Sequence, residues 1–177
     1  MKKLGCLLFA ALLLFAGCAA AEDTVSVAIH DGLQFTFVVP DGYTFAEEWY
    51  GGILYADFEP QQDSGASMIL SVGFSEEYAN RSIGDLSDEE LSALTEVTVA
   101  DFSAPTLTVE ETAHGTKLLV ADENSQYDEY AEITTVYEGY FITMLVQPQN
   151  AETQLTQEQL QTAIGVISDM AFVHNEV

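Results

Sequence analysis

Positive charge is scarce in this sequence. Of its 177 residues only four are Lys or Arg, against 29 Asp and Glu. Lys2 and Lys3 stand at the amino terminus, Arg81 and Lys117 are the other two, and every acid lies at or beyond Glu22. Nucleic acid and anionic headgroups are held by Lys and Arg that neutralise phosphate, so a chain this acidic repels both. Nucleic acid is excluded as a partner, and a cationic protein is the expected one. Cysteine is almost as scarce. Cys6 and Cys18 both precede the first acid, which leaves the remainder with no pair to oxidise and no Cys-based zinc site. Long apolar runs are missing too. The one from Leu4 to Ala16 falls short of the about 20 residues that a spanning helix needs.

What is present at the start is an address. Two lysines followed by a short apolar run make a secretory signal peptide. Leu14-Phe-Ala-Gly-Cys18 resembles a bacterial lipobox, in which a small pair precedes a cysteine that becomes the lipidated first residue. Phe15 departs from the usual aliphatic residue. On this reading the signal peptide is 1–17, Cys18 carries the lipid and 18–23 is a short tether. The alternative is an ordinary cut after Ala21, where Ala19 and Ala21 give the small-x-small pattern. Either way the expected location is extracytoplasmic: anchored to the membrane only through an amino-terminal lipid if Cys18 becomes the first residue, secreted if the cut follows Ala21. Residues 24–177 are expected to form a single domain, since a chain of about 150 residues buries roughly 70% of its unfolded surface.

Alternation of apolar residues and turn signals give mostly strands. Val25, Val27 and Ile29 alternate, as do Phe35, Phe37 and Val39, around Asp31-Gly32. A three-residue loop would pair Ile29 with Phe35 and Val27 with Phe37, keeping one clean apolar face. A hairpin is expected over 43–50 and 53–59 around Gly51-Gly52, then a strand to Phe74. Further strands are expected at about 106–112, 116–121, 129–137 and 140–147, with Glu138-Gly139 as a two-residue turn. The last of these is apolar on both faces, which predicts cover on both. Two helices carry capping boxes, Ser87 with Glu90 and Thr156 with Gln159. In the second, Leu160, Ala163, Ile164 and Ile167 form the buried stripe. A short strand near Ala171–Val173 ends the chain. The predicted fold class is α+β, a largely antiparallel sheet with helices on both faces, that is, a helix–sheet–helix sandwich.

Phe35-Thr-Phe-Val-Val-Pro-Asp-Gly-Tyr43 and Tyr140-Phe-Ile-Thr-Met-Leu, followed by a polar loop, a helix and Ala171-Phe-Val, resemble the PsbP-like superfamily. That superfamily includes photosystem II extrinsic proteins, a Mog-type nuclear-transport factor and many bacterial lipoproteins. The resemblance spans the mature domain and rests on folding signals. It implies an adaptor or accessory binding domain without enzymatic activity, and it brings no ligand residue with it.

Catalytic and metal motifs are weak. No serine sits in a Gly-x-Ser-x-Gly elbow, and His30, His114 and His174 share no short motif. Asp122-Glu-Asn-Ser-Gln-Tyr-Asp128 spaces oxygens as a calcium loop does but lacks the glycine and the terminal glutamate such a loop uses. The tandem acids Glu47-Glu48, Glu110-Glu111 and Asp128-Glu129 point to opposite faces if extended, so none is itself a glycosidase dyad. Lys117 is placed opposite Thr112 and diagonal to Glu110. Tyr43, Trp49 and Tyr50 lie in the densest aromatic stretch and are the candidate partner patch, with Tyr43, Phe45 and Trp49 on one face. The expectation is a non-enzymatic binding domain with no cofactor and no metal. The competing readings are an extracytoplasmic hydrolase using a carboxylate pair and a calcium-dependent module.

Overall fold

The computed structural model describes residues 23–30, 33–62, 65–100, 102, 105–111, 117–123, 130–149 and 154–174. The proposed signal peptide, Cys18 and the alternative cut lie outside them, as does nearly all of the proposed tether. Among the described residues, ten strands and two α-helices follow in chain order. The strands are β1 (Asp23–His30), β2 (Leu33–Val39), β3 (Tyr43–Tyr50), β4 (Ile53–Pro60), β5 (Ala66–Phe74), β6 (Thr106–Glu111), β7 (Lys117–Glu123), β8 (Tyr130–Tyr137), β9 (Tyr140–Pro148) and β10 (Ala171–His174). The helices are α1 (Asp88–Thr98) and α2 (Gln157–Ser168), and short 3₁₀ turns at Glu76–Tyr78 and Ile83–Asp85 lead into α1. None of these helices is long and apolar enough to cross a membrane.

The strands form two antiparallel sheets, one of three strands in the order β1-β2-β10 and one of seven in the order β3-β4-β5-β9-β8-β7-β6. This overturns the helix–sheet–helix sandwich. The molecule is mostly β, and the inner face of the large sheet is covered by the small sheet together with α2. The reason is area. Seven strands about 4.8 Å apart span about 29 Å, whereas a helix of 12 residues is about 18 Å long and about 10 Å wide. Leu33, Phe35 and Phe37 of β2 and Val27 of β1 cover the inner residues Leu54, Phe58, Met68, Leu70, Ile142 and Met144. Phe37 meets Phe45 and Phe58 at ring-centroid distances of 6.3 and 6.2 Å. Phe172 of β10 stacks on Tyr137 at 3.9 Å and meets Phe35 edge-on at 4.1 Å.

Both helices start where their caps place them. Ser87 Oγ accepts from the Glu90 N–H at 3.3 Å while Ser87 N–H donates to Glu90 Oε2 at 2.8 Å. Thr156 and Gln159 repeat the exchange at 3.2 and 2.7 Å. In α2 the fully buried residues are Leu160, Ala163, Val166 and Ile167. Val166 joins the expected stripe, and Ile164 packs partly buried against the same core, as α2 contacts both β2 and β9. Helix α1 lies on the opposite, outer face. Its Leu94 joins Tyr78, Ile83, Leu119 and Val136 in a second, smaller core against β7 and β8.

Two registers differ from the expected ones. In the first hairpin Val25 opposes Phe37, Val27 opposes Phe35 and His30 opposes Leu33, with an irregularity between Ala28 and His30. The apolar face is kept, as expected, but a bulge at Ile29 restores it instead of a longer loop. One extra residue on one strand shifts the side-chain parity just as a one-residue loop extension would. Lys117 opposes Glu111 and not Thr112, a one-residue slip that sets it directly across from an acidic residue.

Candidate functional site

The aromatic candidates part company in the structure. Register sets Tyr43 beside Pro60, Phe45 beside Phe58 and Trp49 beside Leu54, so all three share the inner face, as their spacing requires. Tyr43 and Phe45 pack on the main core. Trp49 stays 42% exposed and Tyr50, on the outer face beside Ile53, is 75% exposed. Tyr43, Trp49 and Tyr50 therefore do not make one patch: the strand's two-residue period sends Tyr50 to the other side.

The tandem acids behave likewise. Glu47 opposes Ala56 on the inner face and Glu48 opposes Tyr55 on the outer one. Asp122 and Glu123 end β7, while 124–129 of the calcium-like run, with Asp128-Glu129, and His114 lie outside the described residues. His30 and His174 both register with Leu33, from opposite sides of β2, which puts β2 between them. Among the described residues no three His, Cys, Asp or Glu side chains are grouped to hold a metal ion. A shallow groove of about 170 Å³ between β2 and α2 is lined by Val38, Pro40, Thr162, Gly165, Val166 and Asp169.

The polar feature that the sequence did not announce is a clamp around Arg81. Its guanidinium donates through Nη1 to Glu90 Oε1 at 2.7 Å and through Nη2 to Glu90 Oε2 at 2.8 Å, and Nη2 also reaches the Asp85 carbonyl at 3.0 Å. Glu90 further accepts from Ser87 N–H and Oγ, both at 2.8 Å. The Arg81 carbonyl accepts from Gly139 N–H at 2.9 Å. The clamp ties the start of α1 to the β8–β9 turn. Ser87 and Glu90 were legible as a capping box. Arg81, nine residues upstream, carries no local signal.

The Arg81 guanidinium, then the Ser87 donors, hold the Glu90 carboxyl well below the usual carboxylate range. A carboxylate depressed in the folded state stabilises fully above its unfolded pKa, about 4.3, and loses that contribution as pH falls toward the folded value. The Tm difference between wild type and Glu90→Gln should be constant above about pH 5 and shrink as pH drops below about 4. Thermal melts of both proteins across pH 2.5–7 check this, and a difference that widens on acidification would contradict it.

Over five of its strands the outer face of the large sheet is chemically one-sided. Residues 43–74 and 130–148, which hold β3, β4, β5, β8 and β9, contain no Lys, Arg or His. The outer face carries Glu48, Asp57, Glu59 and Glu132 on these strands. Cross-strand register lines up Asp57, Ile69, Leu145 and Glu132 on β4, β5, β9 and β8. The next row is Glu48, Tyr55, Ser71 and Thr143, with the Ser71 and Thr143 hydroxyls hydrogen-bonded to each other. Phe141 of β9 packs into the α1 core, but Leu145 is only half-buried and Ile69 is 37% exposed. The cover expected on both faces of β9 is therefore complete on the inner face and partial on the outer. The chain matches no protein-family model and no curated protein.

Proposed function

We propose that this chain is a non-enzymatic binding or accessory domain of the cell envelope, held outside the cytoplasm by a lipid on Cys18, that presents an acidic surface to a cationic protein partner. The observation that carries the reading is the charge distribution: five strands of the large sheet without one cation, bearing carboxylates on the outer face. Such a surface attracts cationic partners over several ångströms and selects against anionic ones. The leader and Cys18 support the address. The resemblance of 35–43 and 140–145 to PsbP-like proteins supports an accessory role.

Salt dependence tests it. A lysine/leucine amphipathic peptide should bind the purified exported protein with an association rate that falls at least about tenfold between 0.02 and 0.3 M salt, because the Debye length shortens from about 20 Å to about 6 Å. A glutamate/leucine peptide should not bind. Equal binding of the two peptides would sink the reading. Turnover of a glycan or ester panel, lost on replacing one carboxylate, would replace it with a hydrolase.

A further inference from the structure

The outer face of the large sheet is covered unevenly. Helix α1 and the 3₁₀ turns seat Leu94, Tyr78 and Ile83 over Leu119 and Val136, and Phe141 packs at the margin. Toward β3 the cover stops. Ile69 is 37%, Ile53 36% and Tyr50 75% exposed, and Tyr55 and Leu145 are half-buried. Along the strands the Ile69–Leu145 pair is bounded by the polar pairs Ser67–Gln147 and Ser71–Thr143, so the apolar area between β5 and β9 is a short patch, and its exposure requires an account.

The register supplies the shape of what would fit. Ile69 and Leu145 are neighbours on β5 and β9, with Asp57 one strand beyond on β4 and Glu132 one strand beyond on β8. Three strand spacings of about 4.8 Å set the two carboxylate positions about 14 Å apart with an apolar pair between them. Glu48 and Glu59 extend the acidic margin along β3 and β4. An α-helix with side chains is about 10–12 Å across. Laid along the strands, a helix would seat apolar side chains of one turn on Ile69 and Leu145 and long cationic side chains over the acids on either flank.

A second copy of this chain does not fit, because face-to-face pairing would set carboxylate against carboxylate. Anionic lipid and nucleic acid are repelled for the same reason. We propose that the outer face over β4, β5 and β9 is a docking surface, and that its occupant is a cationic amphipathic helix of a partner protein. The proposal rests on the binding reading above and gives it a place on the fold.

Two substitutions that change charge equally locate the site. Ile69→Lys puts a cation in the middle of the patch. Gln161→Lys puts one on an exposed position of α2, which packs on the opposite side of the sheet. The probe is the lysine/leucine peptide, with a scrambled peptide of the same composition that forms no apolar stripe. Ile69→Lys should weaken binding at least tenfold, Gln161→Lys should stay within twofold, and the scramble should bind at least tenfold more weakly than the amphipathic peptide. Circular dichroism melts verify folding. If Ile69→Lys does not fold, Ile69→Thr keeps the β-branch and should lose about threefold. Equal losses at 69 and 161, or equal binding of the scramble, would overturn the docking surface and leave the acidic-binding reading intact. No binding of either peptide to wild type would overturn both.

Discussion

Phe37→Ala should cost the folded protein about 3–5 kcal/mol, the range for removing a buried phenylalanine. Phe37 is fully buried on β2 and joins the two sheets. Its ring lies 6.2 Å from Phe35 in its own strand, and 6.3 and 6.2 Å from Phe45 and Phe58 on the large sheet. Truncation removes the transfer term of the ring, about 1.5–3 kcal/mol, and leaves a void between sheets held apart by rigid neighbours. Those neighbours are themselves aromatic and close-packed, so little relaxation is available. Tyr50→Ala, by contrast, removes a ring that is 75% exposed and should change stability by no more than about 0.5 kcal/mol. Urea unfolding of the three proteins checks both figures. A loss at Phe37 below about 1 kcal/mol would mean that the small sheet does not seat on the large one as described.

Gly139→Ala should cost about 2–5 kcal/mol although it adds a single methyl group. Gly139 holds φ at +91°, a conformation that costs a residue with a Cβ about 1–2 kcal/mol. The added Cβ would lie 3.0 Å from the Phe74 ring, 3.1 Å from Ala79 Cα and 3.3 Å from Asn80 N, and overpacking adds about 1–3 kcal/mol. The turn cannot move aside cheaply. Gly139 N–H donates to the Arg81 carbonyl and its carbonyl accepts from Ser75 N–H, both at 2.9 Å. Gly51→Ala is the comparator. Its φ is +61° but nothing lies within 4 Å of its Cβ position, so only the conformational cost, about 1–2 kcal/mol, applies. Equal midpoints for the two variants in urea would show that the segment 75–81 does not press on the turn.

Gly139 illustrates how far local reading reaches. Glu138-Gly139 was legible as a two-residue turn because a hairpin of this kind needs positive φ at both positions, and the structure has +47° and +91° there. That Ala79 and Asn80 crowd it was not legible, since they lie 60 residues upstream and meet it only through the fold. The same division runs through the candidate site. Alternation correctly put Trp49 and Tyr43 on one face, but the exposure of Trp49 depends on where the covering sheet ends. Ser87 and Glu90 announced a cap, while their partner Arg81 needed the intervening turn at Ile83–Asp85 to bring it round.

The sequence by itself determined the periods and the punctuation: the strands, the turns, both helix starts and the apolar face of nearly every strand. These follow from backbone sterics and from caps that act within three or four residues. It determined the charge as well, because charge is a matter of composition. The tertiary structure alone decided that β1, β2 and β10 leave the main sheet and cover it, that a bulge sets the first hairpin's register, and that one outer patch stays open between Asp57 and Glu132. A period of two is the same whichever sheet a strand joins. The choice is made by the area each face must bury and by which surfaces fit, and both are properties of distant segments brought together.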